Sequence, residues 1–169
     1  MFNKLLSTLA VVLVMTAPAA SAEMNIVVLD PVRAILESDE AKVLAEAANK
    51  EMEPEIEELR VEAEEFQALQ AKLQKDGEVM SESERRKGIK DLEDMQADLQ
   101  FGQQKLQKQT QDKRQEILQA MAPKYEKVLN DLIQIDQIDL ILSPNQLQYG
   151  NPKHDISRRV TEKLNEASD

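Results

Sequence analysis

The chain has 169 residues, with 21 basic against 32 acidic side chains and a net charge of −11. It contains no cysteine and a single histidine, which excludes disulfides, cysteine nucleophiles, thiolate metal sites and a histidine cluster for zinc. Because an acidic chain repels nucleic acid at long range, a DNA-binding role is disfavoured. Five aromatic residues, four glycines and many helix-forming residues predict long helices with thin cores rather than a compact enzyme.

Residues 1–22 have the pattern of a cleavable export signal. Lys4 precedes an apolar run over residues 5–15, and the Ala-Ser-Ala sequence at 20–22 supplies the small residues of a cleavage site. The apolar run is well short of the roughly 20 residues that a membrane-spanning helix needs. We therefore expect cleavage after Ala22 and an exported product with 20 basic and 32 acidic side chains, a net charge of −12.

The exported part begins with a strand and a short helix. Residues 24–29 are mostly aliphatic on both faces and rich in β-branched side chains, which predicts a buried strand. Asp30 is a favourable N-cap and Pro31 fits the first helical turn. We expect a short helix through Glu37 and a break near Ser38.

Residues 40–75 consist almost entirely of helix-forming residues. Their apolar positions advance in steps of four and three, the narrow seam of a coiled coil, at Met52, Ile56, Leu59, Ala63, Phe66 and Leu73. Gly77 is expected to end this helix in a left-handed cap conformation. Ser81 and Glu84 have the spacing of a capping box, which predicts the start of a second long helix.

The second helix continues the seam in two parts. The seam positions are Leu92, Met95, Leu99, Gly102 and Leu106, and then, after the polar stretch 103–115, Leu118, Met121, Tyr125, Val128 and Leu132. The two helices must fold back on each other about the turn near residue 79. We predict an antiparallel hairpin over residues 39–135, with arms of roughly 50 to 75 Å at 1.5 Å per residue.

The chain after Asp136 returns to short elements. Residues 138–142 predict a second strand and residues 146–149 a weaker third one, and Asp155 can cap a last amphipathic helix. Residues 23–38 and 136–169 would form a small body from which the hairpin 39–135 extends. Three short strands cannot hide their own edges, so copies of the same chain are expected to cover the apolar side chains of Ile26, Val28, Leu140 and Leu142.

Pro54 interrupts the pattern of the first long helix. Proline removes one backbone hydrogen bond and crowds the preceding turn, which normally kinks a helix. With the turn near residue 79, Pro54 would lie opposite residue 104, within a turn of Gly102 and beside the polar stretch 103–115. The two residues predict a hinge in the arm, and a static bend is the alternative.

The sequence offers little catalytic chemistry. His154 has no partner in a recognisable triad motif, and the carboxylate pairs of the coiled coil are ordinary solvated positions. We therefore predict no enzyme, no cofactor and no metal site. The compact basic run Arg85, Arg86 and Lys87 at the tip predicts a weak contact with anionic lipid or an acidic client, with a merely solvated helix start as the alternative.

Four features in this order give a family resemblance. They are the exported start, the strand and helix over residues 26–38, the hairpin tip over residues 73–87, and the segment from Ile138 to Ser157. With them the chain resembles the Skp/OmpH family of periplasmic chaperones over essentially all of its exported part.

The resemblance implies a fold and a function. The fold class is mainly α with a small β component, a long antiparallel helical hairpin (a coiled-coil tentacle) on a small strand body that trimerises. Strands of three chains would form a β-barrel-like body, and the hairpins would surround a cavity. Such a homotrimer would act in the periplasm as an ATP-independent holdase for unfolded outer-membrane β-barrel proteins.

The chain departs from well-known family members in charge. Those proteins are basic, whereas this chain is strongly acidic, so a lipopolysaccharide site is not carried over to it. The competing interpretation is a coiled-coil spacer or adaptor of the envelope that binds no client. A spacer would be expected to have a continuous heptad pattern and an anchor, and the sequence predicts neither.

Overall fold

A computed structural model describes residues 24–167, and the predicted export signal 1–22 lies outside them. The helices are α1 (Pro31–Leu36), α2 (Asp39–Asp76), α3 (Glu82–Asp136) and α4 (Ser157–Glu166), and the strands are β1 (Ile26–Val28) and β2 (Leu140–Leu142). Two 3-10 turns, Pro144–Gln146 and Pro152–His154, join β2 to α4. Within the described range, every helix is too short or too polar to cross a membrane.

Side-chain caps fix the helix starts where the sequence predicts them. The Asp30 carboxylate accepts a hydrogen bond from the Arg33 N–H at 3.0 Å, and the Ser38 hydroxyl accepts one from the Ala41 N–H at 3.4 Å. The capping box is confirmed, because the Ser81 N–H donates to Glu84 Oε2 at 3.0 Å while the Ser81 hydroxyl caps the Glu84 N–H. These contacts satisfy N–H groups that have no partner inside the helix.

The left-handed cap predicted at Gly77 is wrong. Gly77 has a φ of −59°, and glycine is needed there because a Cβ would collide with the Leu73 carbonyl oxygen. The left-handed residue lies instead at the other end of the hairpin. Gln137 has φ 51° and its N–H donates to the Ile133 carbonyl, which ends α3 and directs the chain into β2.

α2 and α3 pack antiparallel, but buried side chains concentrate at one end of the hairpin. The buried residues of the two helices at the base are Ala41, Ala48, Met52, Ile117, Met121, Val128 and Leu132. Further out along the described arms only Gly88 is buried, against the Leu73 side chain. The predicted seam is therefore a closed core at the base and a thin, half-exposed contact along the arm.

The body forms where the two ends of the chain meet. β1 and β2 are parallel and in register, with Ile26 beside Leu140, Val27 beside Ile141 and Val28 beside Leu142. Parallel strands require a crossover connection, and here the whole hairpin is that connection. α1 and α4 pack beside the sheet and contribute Ala34, Ile35, Val160 and Leu164 to a core shared with the base of the hairpin.

The third strand predicted over residues 146–149 is wrong. Residues 144–146 form a 3-10 turn in which the Leu147 N–H donates to the Pro144 carbonyl at 3.1 Å. The Gln146 side chain accepts a hydrogen bond from the Ser143 N–H at 3.4 Å, so the segment satisfies its polar groups locally. The additional pairing beside β1 is one parallel bridge between Val28 and Asp155.

Asp155 ties the start of α4 to the start of α1. Its carboxylate accepts the Ser157 N–H at 2.9 Å and pairs with Arg33 Nη2 at 2.5 Å, while the Ser157 hydroxyl accepts the Asp30 N–H at 2.9 Å. Partial burial raises the pKa of Asp155, but the hydrogen bonds from Ser157 and Arg33 outweigh it and hold this pKa below its usual range. The predicted capping residue of α4 thus lies two residues before the first helical residue, Ser157, because Ile156 occupies the N-cap position.

Replacing Asp155 with Asn should lower stability in a pH-dependent way. Because the folded-state pKa of Asp155 is depressed, its contribution is present above the unfolded value of about 3.9 and is lost as the pH falls through the folded value. We expect urea unfolding to show D155N less stable than the native chain at pH 7, with the difference disappearing near pH 2. A difference that stays constant across this range would contradict the charge-based role.

Candidate functional site

The four residues predicted at a subunit interface lie on one face of the two-stranded sheet. Ile26 and Leu140 are 37% and 44% exposed, and Val28 and Leu142 are half-buried. They pair across the sheet, and three of them (Ile26, Val28 and Leu142) line an open groove of about 690 Å³ together with Leu147 and Tyr149. Since successive side chains of a strand point to opposite faces, Val27 and Ile141 point instead to the core.

The middle of the hairpin has two chemically different sides, both bordered by Leu59 and Leu106. One side is a groove of about 260 Å³ whose other lining residues are Glu55, Glu58, Glu62, Asp98, Phe101, Gly102 and Lys105. We call it the anionic flank. The opposite side, the amide flank, is lined by Gln103, Gln107, Thr110 and Gln111. Phe101 is not among the residues predicted from the sequence, where its signal is an aromatic side chain one position off the heptad seam.

Pro54 and Gly102 lie at neighbouring levels of the arm. The ion pair between Glu55 and Lys105, with Nζ to Oε1 3.0 Å, sets this level close to the residue 104 expected from the sequence. α2 continues through Pro54, which is exposed. Gly102 lets α3 approach α2, because a Cβ there would lie 2.7 Å from Leu59 Cδ1.

Pro123 is a second proline inside a long helix. It lies beside the buried Met121, and the adjacent Lys124 pairs with Glu40 of α2. Pro54, by contrast, comes just after Met52, the last buried side chain of α2. Each proline removes one helix hydrogen bond. At Pro123 packing restrains the helix, whereas at Pro54 few buried contacts do so.

The tip carries Arg85, Arg86 and Lys87 as exposed side chains in the first turns of α3. Arg86 pairs with Glu82 at 3.3 Å, and the capping residue Glu84 lies in the same turn. These carboxylates offset much of the basic charge. A weak contact of the tip with lipid or client stays a prediction.

Residues 24–167 contain no cluster of side chains arranged for metal binding or acid–base catalysis. No group of three or more His, Cys, Asp or Glu side chains in this range is placed to hold a metal ion. The paired carboxylates of the arms are solvent-exposed, and hydrogen bonds from Lys105 and Gln109 lower the pKa of Glu55 while one from Arg60 lowers the pKa of Glu57. Carboxylates stabilised in their charged form are structural ion-pair partners rather than proton donors.

Comparison with known proteins identifies the family. The family described as outer membrane protein (OmpH-like) matches residues 25–164. The chain belongs to the Skp/OmpH family. A Skp-like protein of Pseudomonas aeruginosa is 32% identical over 153 residues, which cover 90% of this chain and 91% of that protein.

A solved structure has the same fold. The chain matches a crystal structure of a Caulobacter crescentus protein assigned as an OmpH-like outer membrane chaperone, with a TM-score of 0.55 and 16% identity over 86% of each chain. The predicted mainly α fold, with a long hairpin and a small strand element, is confirmed. The family is one of chaperones rather than enzymes, which gives this chain a chaperone role.

We propose that the arm swings at the level of Pro54. Replacing Pro54 with Ala restores one helix hydrogen bond and should add helix stability, since proline costs about 3 kcal/mol relative to alanine in a helix interior. Hydrogen exchange on the native protein should be fastest at amides flanking residues 50–56 and 100–108, and P54A should slow it there.

A matched control is Ala replacement of Gln67, an exposed residue of the same helix that keeps its backbone hydrogen bond in the native protein. This change should leave exchange at residues 50–56 unaltered. If native amides near Pro54 are as protected as those over residues 59–66, the bend is static and the hinge proposal fails.

Proposed function

We propose that this chain is an ATP-independent periplasmic holdase that binds unfolded outer-membrane β-barrel proteins in the cavity of a homotrimer. The observation that carries the proposal is that one chain has both an uncovered apolar sheet face and a long hairpin whose buried core ends part-way along the arm. The first feature calls for copies of the chain, and the second provides a wall for clients. The family's chaperone role supports both.

Assembly follows from the size of the sheet. An isolated two-stranded sheet is marginally stable at best. Within the described residues the outer edge of β2 is unpaired, and the outer edge of β1 is paired only through the bridge between Val28 and Asp155. The outer face adds the apolar side chains of Ile26, Val28, Leu140 and Leu142. Further strands from identical chains would pair the edges and bury this face in one step.

Client binding follows from the surface of the arm. Exposed apolar side chains are spread along both helices beyond the base, at Ile56, Val61, Val79, Ile89 and Phe101. Scattered apolar contacts on a deformable wall are each weak, so together they can retain an unfolded chain without imposing one structure on it. The predicted export signal supports action in the periplasm, where release by mass action needs no nucleotide.

The assembly can be tested by placing charge on the outer sheet face. Replacing Val28 and Leu140 with Asp puts two carboxylates where apolar contact between chains is proposed, and burying unpaired charges is costly. We expect the native chain to have the mass of a trimer by light scattering and the double variant to be monomeric and partly unfolded.

The control replaces Val43 and Val79 with Asp, two exposed apolar positions away from the sheet. This variant should keep the native mass. A native chain that is a stably folded monomer in solution would overturn the proposed architecture.

The holdase activity can be tested with urea-denatured outer-membrane β-barrel proteins. Diluted into buffer without nucleotide, several such clients should stay soluble at a stoichiometric amount of the assembled protein, as followed by light scattering. A structural spacer would leave their aggregation unchanged. If the intact assembly protects none of them, the spacer interpretation replaces the holdase.

A further inference from the structure

The anionic flank presents an exposed aromatic ring over a small apolar groove. Phe101 is 70% exposed, and the half-buried Leu59 and Leu106 form the apolar lining beneath it. The groove exists because Gly102 brings α3 close to Leu59 at this level. A large apolar side chain left exposed beside a groove is a preferred contact point for another molecule.

The charges around Phe101 are unbalanced. Glu58, Glu62 and Asp98 line the same groove, and within residues 24–167 none of these three has an ion pair or a side-chain hydrogen bond. The one basic lining residue, Lys105, is paired with Glu55. The groove therefore combines an apolar floor with three uncompensated negative charges.

Arg60 lies two residues from Glu58 in the same helix, and its guanidinium is also already paired. Its guanidinium pairs with Glu57 at 2.5 Å and with Glu64, so this one cation is shared between two carboxylates of its own helix. Among the residues that line the groove, no unpaired cation is left to balance Glu58, Glu62 and Asp98. A ligand that fits the groove would supply positive charge together with apolar surface.

We propose that the anionic flank is a docking surface for stretches of non-native polypeptide in which Lys or Arg alternate with aromatic or aliphatic residues. This inference rests on the proposed holdase function and names the client segments that the arm prefers. A lysine or arginine can lie over the exposed face of Phe101 while its neighbours fill the groove. The three carboxylates would each pair with a client cation.

The three carboxylates also decide that basic segments bind more tightly than acidic ones. At moderate salt the screening length is about 10 Å, so carboxylates lining one groove act together on a bound segment. An acidic segment with the same apolar residues would meet repulsion instead. The amide flank shares Leu59 and Leu106 but is lined by uncharged Gln and Thr, so it offers no such discrimination.

The test compares two labelled unfolded peptides that share their Phe and Leu positions and differ only in carrying Lys or Glu between them. Binding to the intact protein is measured by fluorescence anisotropy. We expect the Lys peptide to bind about tenfold more tightly at low salt, and this ratio to collapse near 1 M salt, where the screening length falls to about 3 Å.

The key variant is E58Q/E62Q/D98N, which keeps side-chain size and removes three charges. It should lose about eightfold in affinity for the Lys peptide, because each exposed ion pair is worth about a factor of two. Its affinity for the Glu peptide should stay the same or rise. F101A should weaken binding of both peptides, because it removes the aromatic contact.

The matched control E46Q/E78Q/E126Q removes three carboxylates that are exposed, unpaired and remote from the groove. It should lose less than twofold in Lys-peptide affinity. Equal losses of Lys-peptide affinity in the two triple variants would overturn the inference, because net charge alone would then explain the binding. Equal affinity of the native protein for the two peptides would overturn it as well. A change of mass in E58Q/E62Q/D98N by light scattering would overturn it in favour of a second copy of the chain in the groove.

Protection of a urea-denatured β-barrel client is measured on the same samples. If the client is protected while the two peptides bind alike, the selectivity is wrong and the holdase function stands. If the Lys peptide binds selectively but no client is protected, the holdase function fails and the groove is a binding site of another role.

Discussion

The pairing of β1 with β2 joins two segments at opposite ends of the exported chain. Asn25 and Asp139 are 114 positions apart, and the Asn25 N–H donates to the Asp139 carboxylate at 2.7 Å beside the strands. Because the strands are parallel and in register, the chain between them leaves the sheet at the Val28 end of β1 and returns at the opposite end, where β2 begins at Leu140. The whole hairpin lies within this crossover and is anchored to the body at both of its ends.

Burial decreases along the hairpin away from that closure. At the base, Met121 and Leu132 are packed against α1 and α4 as well as against α2, so the helices share a core with the body. Beyond Met52 the two helices have only each other, and a pair of helices cannot bury an apolar stripe completely. The gradient gives the base a closed core and leaves apolar side chains of the distal arm exposed.

The charge of the chain is distributed in a way that its total does not reveal. Cross-arm ion pairs join Glu51 with Lys113 and Glu55 with Lys105, so both lysines are structural partners. Around Phe101, three carboxylates that line the anionic flank stay unpaired within residues 24–167. The hairpin and body of the fold are thus combined here with a net charge of −11.

The sequence by itself determined the elements and their order. Local interactions within a few residues fix the caps at Asp30 and Ser81, and the heptad steps fix the hairpin, so both can be predicted from the printed chain. The tertiary structure decided what depends on distant partners. A turn lies where a strand was predicted over residues 146–149, and the left-handed cap lies at Gln137 rather than at Gly77. Leu59 packs against Gly102 across the two helices. Phe101 is left exposed among unpaired carboxylates, because which charges are neutralised depends on which individual side chains meet across the two helices.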